Sequence, residues 1–371
     1  MKILIVYASA GAGHFKAAEA VYKYLKNRCP GAKLDLIDIL PKTSAFIRFN
    51  YRFGYQFLIN KALFLWSLSF WSTDSKLLRP LVRPLSEFIN RINTRPFADF
   101  LIKEDPDYII STHFLPPEIA VRLKRSGRIH SKIITVITDF GVHNFWLHQG
   151  TDLYVAASTS TKDILLKNGI RQELIGEFGI PVDEKFLQPQ DKGALCRKLG
   201  LAEGKFTVLI MTGSFGIGPI EEIIGLLNKK AQLLVVCASN KKLYSRLSGA
   251  GLADTKVYGF VDNVHELMSV SDCIVTKPGG LSISEILVAG IVPVFVSAIP
   301  GQEHGNLEAM QKCGVGMAPK HLEELAGIIL GLKDDPEKLA RMKEAIARVR
   351  KPDTLRNICD VVCPGCSRNP C

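Results

Sequence analysis

The run Thr276-Lys-Pro-Gly-Gly-Leu-Ser-Ile-Ser-Glu285 sets a glycine pair between a short apolar stretch, Cys273 to Thr276, and residues of helical spacing from Leu281 to Ala289. A strand that turns through glycines into a helix brings bare backbone N–H groups and the positive end of a helix to one point, which favours a phosphate. Lys277, Gly279, Gly280 and Ser282 would line that point, and Glu285, one turn on, would aim a carboxylate at sugar hydroxyls. Pro300-Gly-Gln302-Glu303 follows the next apolar run, Val292 to Ser297, and adds an amide and a second carboxylate. Gly213-Ser214-Phe-Gly216 again joins a strand-like run to a helix and would hold a diphosphate from the other side. Phe260 and Val261 end a further run, where backbone could read a base edge. A tight turn with no ligand is the plain alternative for any one of these; together they suggest a nucleotide-sugar pocket.

Proton transfer needs a group that titrates near the working pH, and histidine does so with little tuning. His14 follows the turn Gly11-Ala-Gly13 at the start of a helical stretch, where it is a candidate base. The turn lacks the third glycine of a dinucleotide fingerprint. Asp139, at the end of the β-branched run Ile133 to Asp139, is a candidate catalytic or orienting carboxylate, with helix capping as the alternative. His113 ends another run and is a secondary candidate, on the acceptor side; His130, His148, His265 and His321 read as surface residues.

These residues need strands and helices in alternation to hold them. Strand-like runs from Ile3 to Ala157 alternate with helical stretches, and the pattern repeats from Phe206 to Ser297. The expected fold is α/β, two Rossmann-like doubly wound domains facing a cleft. The boundaries are 1–182 for the first domain, 183–204 for a linker, 205–350 for the second domain and 351–371 for a Cys-rich tail. The tail, with Cys359, Cys363, Cys366 and Cys371, reads as disordered and reactive, or as a zinc site.

Residues 45–96 break the alternation. Ten aromatics lie between Phe46 and Trp71, and seven Lys or Arg against one acid, Asp74, lie between Leu40 and Ser86. Rings among headgroups and cations near anionic lipid suit a bilayer interface. Arg48, Arg52, Phe53, Trp66, Trp71 and Arg79 are the candidate contacts; core packing of the aromatics is the alternative. The net charge of +11 over 371 residues also asks for an acidic partner, with a plain basic surface as the alternative. No window holds the roughly 18 uncharged apolar residues of a spanning helix. The expectation is a cytoplasmic protein, peripheral on the inner face of the cell membrane.

The pieces Gly11-Ala-Gly-His14, Thr138-Asp-Phe-Gly-Val-His-Asn-Phe-Trp146, Gly179-Ile-Pro-Val182, Thr276-Lys-Pro-Gly-Gly280 with Ser284-Glu285, and Pro300-Gly-Gln-Glu303, in this order, resemble one family. The chain looks like a GT-B glycosyltransferase of the processive diacylglycerol glucosyltransferase and monogalactosyldiacylglycerol synthase group. The resemblance covers nearly everything up to about residue 350; the cysteine tail departs from the family pattern. It implies inverting transfer of glucose or galactose from a UDP-sugar to diacylglycerol on an anionic membrane surface. It implies that Glu285 binds the ribose, Gln302 and Glu303 the donor sugar, and Gly213, Ser214, Gly279 and Gly280 the diphosphate. His14 would lie near the acceptor hydroxyl. Helix N-termini and Lys277 can hold the charge of the diphosphate without a metal, so no metal or other cofactor is expected, and no nucleic-acid partner. The alternatives are a GlcNAc transferase acting on a polyprenyl-linked acceptor, a UDP-sugar 2-epimerase, and a basic membrane-binding module with a vestigial sugar site.

Overall fold

The computed structural model describes the chain apart from residues 10, 55–61, 63, 65–67, 69, 70, 74, 76–78, 300 and 365–371, and the side chains of residues 52, 53 and 79–83. Two compact units emerge. Met1–Asp183, Ile299–Gly305 and Lys351–Cys371 form the first; Glu184–Ala298 and Asn306–Arg350 form the second.

The first unit is built on a parallel sheet of β1 (Lys2–Tyr7), β2 (Lys33–Asp38), β3 (Tyr108–Ser111), β4 (Lys132–Val136), β5 (Leu153–Val155) and β6 (Ile175–Gly176), in the order β2-β1-β3-β4-β5-β6. Alternation decides where β1 sends its side chains. Ile3 and Ile5 join one core cluster, and Leu4 and Val6 join another. A strand covered on both faces needs this unbroken apolar run, and each such side chain stabilises the fold by about 1.5–3 kcal/mol. The strand order reverses direction between β1 and β3, so a crevice opens at the carboxyl ends of those two strands.

The second unit repeats the plan with β7 (Thr207–Met211), β8 (Gln232–Val236), β9 (Thr255–Tyr258), β10 (Cys273–Thr276) and β11 (Val292–Phe295), ordered β11-β10-β7-β8-β9 and all parallel. Its reversal falls between β10 and β7.

Three segments depart from the sequence reading. The stretch expected as a linker carries the helix Lys192–Leu199, capped by the Asp191 carboxylate on the Ala194 N–H at 3.0 Å, and it folds with the second unit. Residues 299–305, expected with the second domain, fold with the first unit. The expected tail instead begins with the helix Thr354–Val362, whose Leu355, Ile358, Cys359 and Val362 pack with Ala18, Val21 and Leu25 of the helix Ala12–Arg28. Their spacing of three, four and seven is one face of a helix, and apolar burial overrides the turn-forming residues beyond it. Cys366 and Cys371 lie outside the described residues. Of the cysteines before the tail, Cys29, Cys196, Cys237 and Cys273 are buried, whereas Cys313 is exposed.

Candidate functional site

In the first unit the chain leaves β1 through Gly11 and enters the helix Ala12–Arg28, which places His14 in its first turn; Thr112 and His113 follow directly on β3. The strand reversal therefore brings the three together. The His14 Nδ1 lies 2.7 Å from the Thr112 carbonyl oxygen and 3.0 Å from the Thr138 hydroxyl. A carbonyl only accepts, so Nδ1 carries the proton and the Nε2 of the neutral ring keeps its lone pair. No hydrogen bond from Nε2 forms among the described residues. The Thr112 hydroxyl donates back to the His14 carbonyl at 2.8 Å. Burial holds His14 below the ordinary histidine range, opposed by the Asp139 carboxylate and the Thr112 carbonyl. His14 thus stays neutral and able to accept a proton.

His113 is only 1% exposed, and its Nδ1 accepts from the Leu115 N–H at 3.2 Å. Burial, and then the nearby His14, push it well below the usual range. Its ring meets His14 edge to face at 4.7 Å and stacks on Phe114 at 4.2 Å. His113 is thus a buried residue packed beside His14. His148, expected on the surface, is also buried, with Nε2 3.1 Å from the Phe114 carbonyl oxygen. Sequence reasoning missed the parts played by Thr112, Thr138 and Trp146, the last 6.3 Å from His14 ring to ring. The available signal was their position just after strands and in the run that includes Asp139.

Asp139 is 4% exposed, and both of its carboxylate oxygens accept from the Gln302 Nε2 at 2.8 Å. Glu303 turns one oxygen back to the Ile299 N–H at 2.8 Å, shaping the loop that carries Gln302. Pro300 lies outside the described residues.

In the second unit the two glycine turns flank the strand reversal. Gly213 follows β7 with φ +91, a left-handed conformation that glycine adopts without strain. The Ser214 carbonyl accepts from the Ser239 hydroxyl at 2.8 Å, which ties this turn to the end of β8. Beyond β10, Gly279 caps the helix Gly280–Ala289 with no side-chain hydrogen bond. Gly279 has φ −74, and a Cβ there would meet only the Ser282 hydroxyl at 3.9 Å. The fold itself does not demand glycine; the open space suits a phosphate approaching the helix end. Lys277, Ser282 and Glu285 are half-buried around this turn, and Asn306, fully buried, donates to the Pro278 carbonyl at 3.1 Å. Phe260, past β9, is 77% exposed, beside a half-buried Val261. Among the described residues no group of three or more His, Cys, Asp and Glu could hold a metal ion.

The aromatic-basic segment divides. Ile47 is buried and Tyr51 packs against the core, whereas Phe46, Phe49, Phe64 and Trp71 are exposed. Arg48 is no free surface cation: its Nη2 donates to the Thr43 carbonyl at 3.3 Å and its Nε is buried. Trp66, and the side chains of Arg52, Phe53 and Arg79, lie outside the described residues. The helix Arg79–Asn93 turns Leu85, Phe88, Ile89 and Ile92 outward, at spacings of three, four and seven. Its Asn90 is half-buried and donates to the Glu118 carboxylate at 2.9 Å. The apolar periodicity was readable in the sequence; only the structure shows which face is outside.

Two parallel α/β units of this kind define the GT-B class of glycosyltransferase folds. Solved structures similar over nearly their whole length include MurG of Acinetobacter baumannii (TM-score 0.58, 15% identity, 97% of this chain and 99% of that one). Another is Anabaena HepE in complex with UDP-glucose (TM-score 0.57, 18% identity, 98% and 99%). UDP-GlcNAc 2-epimerase of Neisseria meningitidis is similar too (TM-score 0.59, 13% identity, 98% and 100%). Residues 14–182 match the monogalactosyldiacylglycerol (MGDG) synthase family model, and residues 221–349 match glycosyl transferases group 1. A probable chloroplastic monogalactosyldiacylglycerol synthase of Glycine max is 31% identical, covering 96% of this chain and 70% of that protein. A processive diacylglycerol beta-glucosyltransferase of Bacillus cereus is 28% identical, covering 97% and 93%. The chain belongs to the monogalactosyldiacylglycerol synthase and diacylglycerol glucosyltransferase family of glycosyltransferases.

Proposed function

We propose that this chain moves a hexose, glucose or galactose, from a UDP-sugar to the hydroxyl of diacylglycerol, with inversion at the anomeric carbon. The observation that carries the reading is His14: its Nδ1–H is held by the Thr112 carbonyl, which leaves Nε2 as the ring atom able to take a proton. The acceptor oxygen attacks the anomeric carbon opposite UDP, the new C–O bond forms as the bond to the diphosphate breaks, and Nε2 receives the hydroxyl proton. The leaving diphosphate gathers negative charge. Uncapped N–H groups of the helix Gly280–Ala289, with Lys277, Gly213 and Ser214, stabilise it. Glu285 holds the ribose, Gln302 and Glu303 meet the donor sugar, and Phe260 with Val261 flank the base.

The lipid acceptor is reached from an anionic membrane surface. Supporting this is the outward apolar stripe Leu85, Phe88, Ile89 and Ile92, with Phe46, Phe49 and Trp71 exposed in the same unit and Arg91 and Arg95 exposed beside the stripe. No helix among the described residues is long and apolar enough to cross a membrane. Cys196, Cys237 and Cys273 are buried thiols outside any disulfide, which suits a reducing compartment, and hence the inner face of the cell membrane. Incubation with labelled UDP-glucose, UDP-galactose and UDP-GlcNAc and diacylglycerol vesicles tests the reading. Label in a glycosyl diacylglycerol supports it; label only in a free or epimerised sugar, or in none, overturns it.

A further inference from the structure

Asp139 was a candidate catalytic or orienting carboxylate on its position after β4, and its carboxylate is already engaged. One nitrogen, Gln302 Nε2, lies 2.8 Å from each of its two oxygens, and Asp139 as a whole is 4% exposed. An ionised carboxylate only accepts hydrogen bonds, and a carboxamide donates only through its nitrogen. The Gln302 amide therefore has one permitted orientation: Nε2 on Asp139, Oε1 turned the other way. Rotating it by half a turn would set an amide oxygen against two carboxylate oxygens and forfeit a charge-assisted hydrogen bond. A hydrogen bond to a charged group of this kind favours the first orientation by about ten- to a hundredfold. Gln302 also opens the helix Gln302–Lys312, and the neighbouring Glu303 closes its loop onto the Ile299 N–H at 2.8 Å, so the backbone under the amide is held as well.

We propose that Asp139 is a positioning residue for the donor sugar: it locks the Gln302 amide so that Oε1 is presented as a hydrogen-bond acceptor to a hexose hydroxyl. The proposal rests on the reading of Gln302 as a donor-sugar contact. It divides the labour between two residues that the sequence left together as catalytic. His14 handles the proton and Asp139 sets which atom of Gln302 the sugar meets.

A charge-transfer pair of substitutions separates the two roles. Gln302→Glu sets two carboxylates against each other and should cost about ten- to a hundredfold in kcat/KM for the UDP-hexose. Asp139→Asn alone loosens the amide and should raise the donor KM about tenfold, with the pH profile of kcat unmoved. In the double variant Asp139→Asn/Gln302→Glu the introduced asparagine donates to the introduced glutamate. The second oxygen of that glutamate still accepts from the sugar, so kcat/KM should return to within a few-fold of the unsubstituted protein. Binding of UDP alone, read by calorimetry, should be the same in all four proteins.

A double variant no better than Gln302→Glu overturns the proposal. So does a thousandfold loss of kcat in Asp139→Asn with a changed pH profile, which would make Asp139 the base. Gln302→Leu, which leaves Asp139 in place, is read alongside in case Asp139→Asn unfolds. It should raise the donor KM without altering UDP binding, and an unchanged donor KM overturns the proposal. If the unsubstituted protein transfers no hexose while binding UDP, the functional reading fails before this one is reached.

Discussion

Replacing Leu85 and Phe88 with serine isolates the apolar stripe of the helix Arg79–Asn93. Each of these side chains is 61% exposed, so in the free protein they contribute little to folding. Fully burying a Leu or Phe side chain is worth about 1.5–3 kcal/mol, and three-fifths of that is about 1–2 kcal/mol per residue. Removing both should weaken partition onto vesicles by about 2–4 kcal/mol, or roughly thirty- to several-hundredfold. Co-sedimentation with vesicles containing anionic lipid measures the loss, with UDP affinity and melting temperature as controls. Raising the salt concentration should weaken both proteins' binding by a similar factor, since screening acts on the cations and not on the stripe. Unchanged partition, or a fall in melting temperature that parallels the fall in binding, would show that this face packs against protein and refute the reasoning.

Gly179 has φ +100, and a Cβ there would sit 2.5 Å from the Lys351 Cβ and 2.7 Å from the Thr354 hydroxyl. Gly179→Ala should therefore cost about 2–3 kcal/mol, a fall of roughly 5–10 °C in the first unit's melting temperature, read by calorimetry. Glu285→Ala should weaken UDP-sugar binding about ten- to a hundredfold by calorimetry with the fold intact, and unchanged affinity would remove Glu285 from the ribose. Stability should also fall with acid. Because His113 is held below its ordinary range, the unfolded chain takes up the proton first, below about pH 6.5. The contribution is complete above that pH and lost below it at about 1.4 kcal/mol per pH unit, which urea unfolding on either side of the midpoint measures.

Most of the strands and glycine turns were readable because buried parallel strands leave unbroken apolar runs such as Ile3 to Val6 between turn residues. Which glycine turns lie together was not, since strand order is a matter of long-range pairing. The reversal between β1 and β3 sets His14 beside Thr112, 98 positions away. The pairing of Asp139 with Gln302, 163 positions apart, was out of reach for the same reason. The helix Thr354–Val362 was misread as tail because the cysteines and prolines around it drew more notice than its apolar face. Arg48 was read as a lipid contact from its place among the aromatics and cations of residues 45–96, while its guanidinium Nη2 donates to the Thr43 carbonyl.

The central claim is that His14 Nε2 takes the proton while a lipid hydroxyl displaces UDP in one step. Its most direct measurement is the anomeric configuration of the glycolipid formed from an α-linked UDP-hexose and diacylglycerol vesicles, by the unsubstituted protein and by His14→Ala. The account predicts a β-linked product whose formation falls by at least about a hundredfold in His14→Ala while UDP binding is kept. An α-linked product, or full turnover without the imidazole, would contradict it.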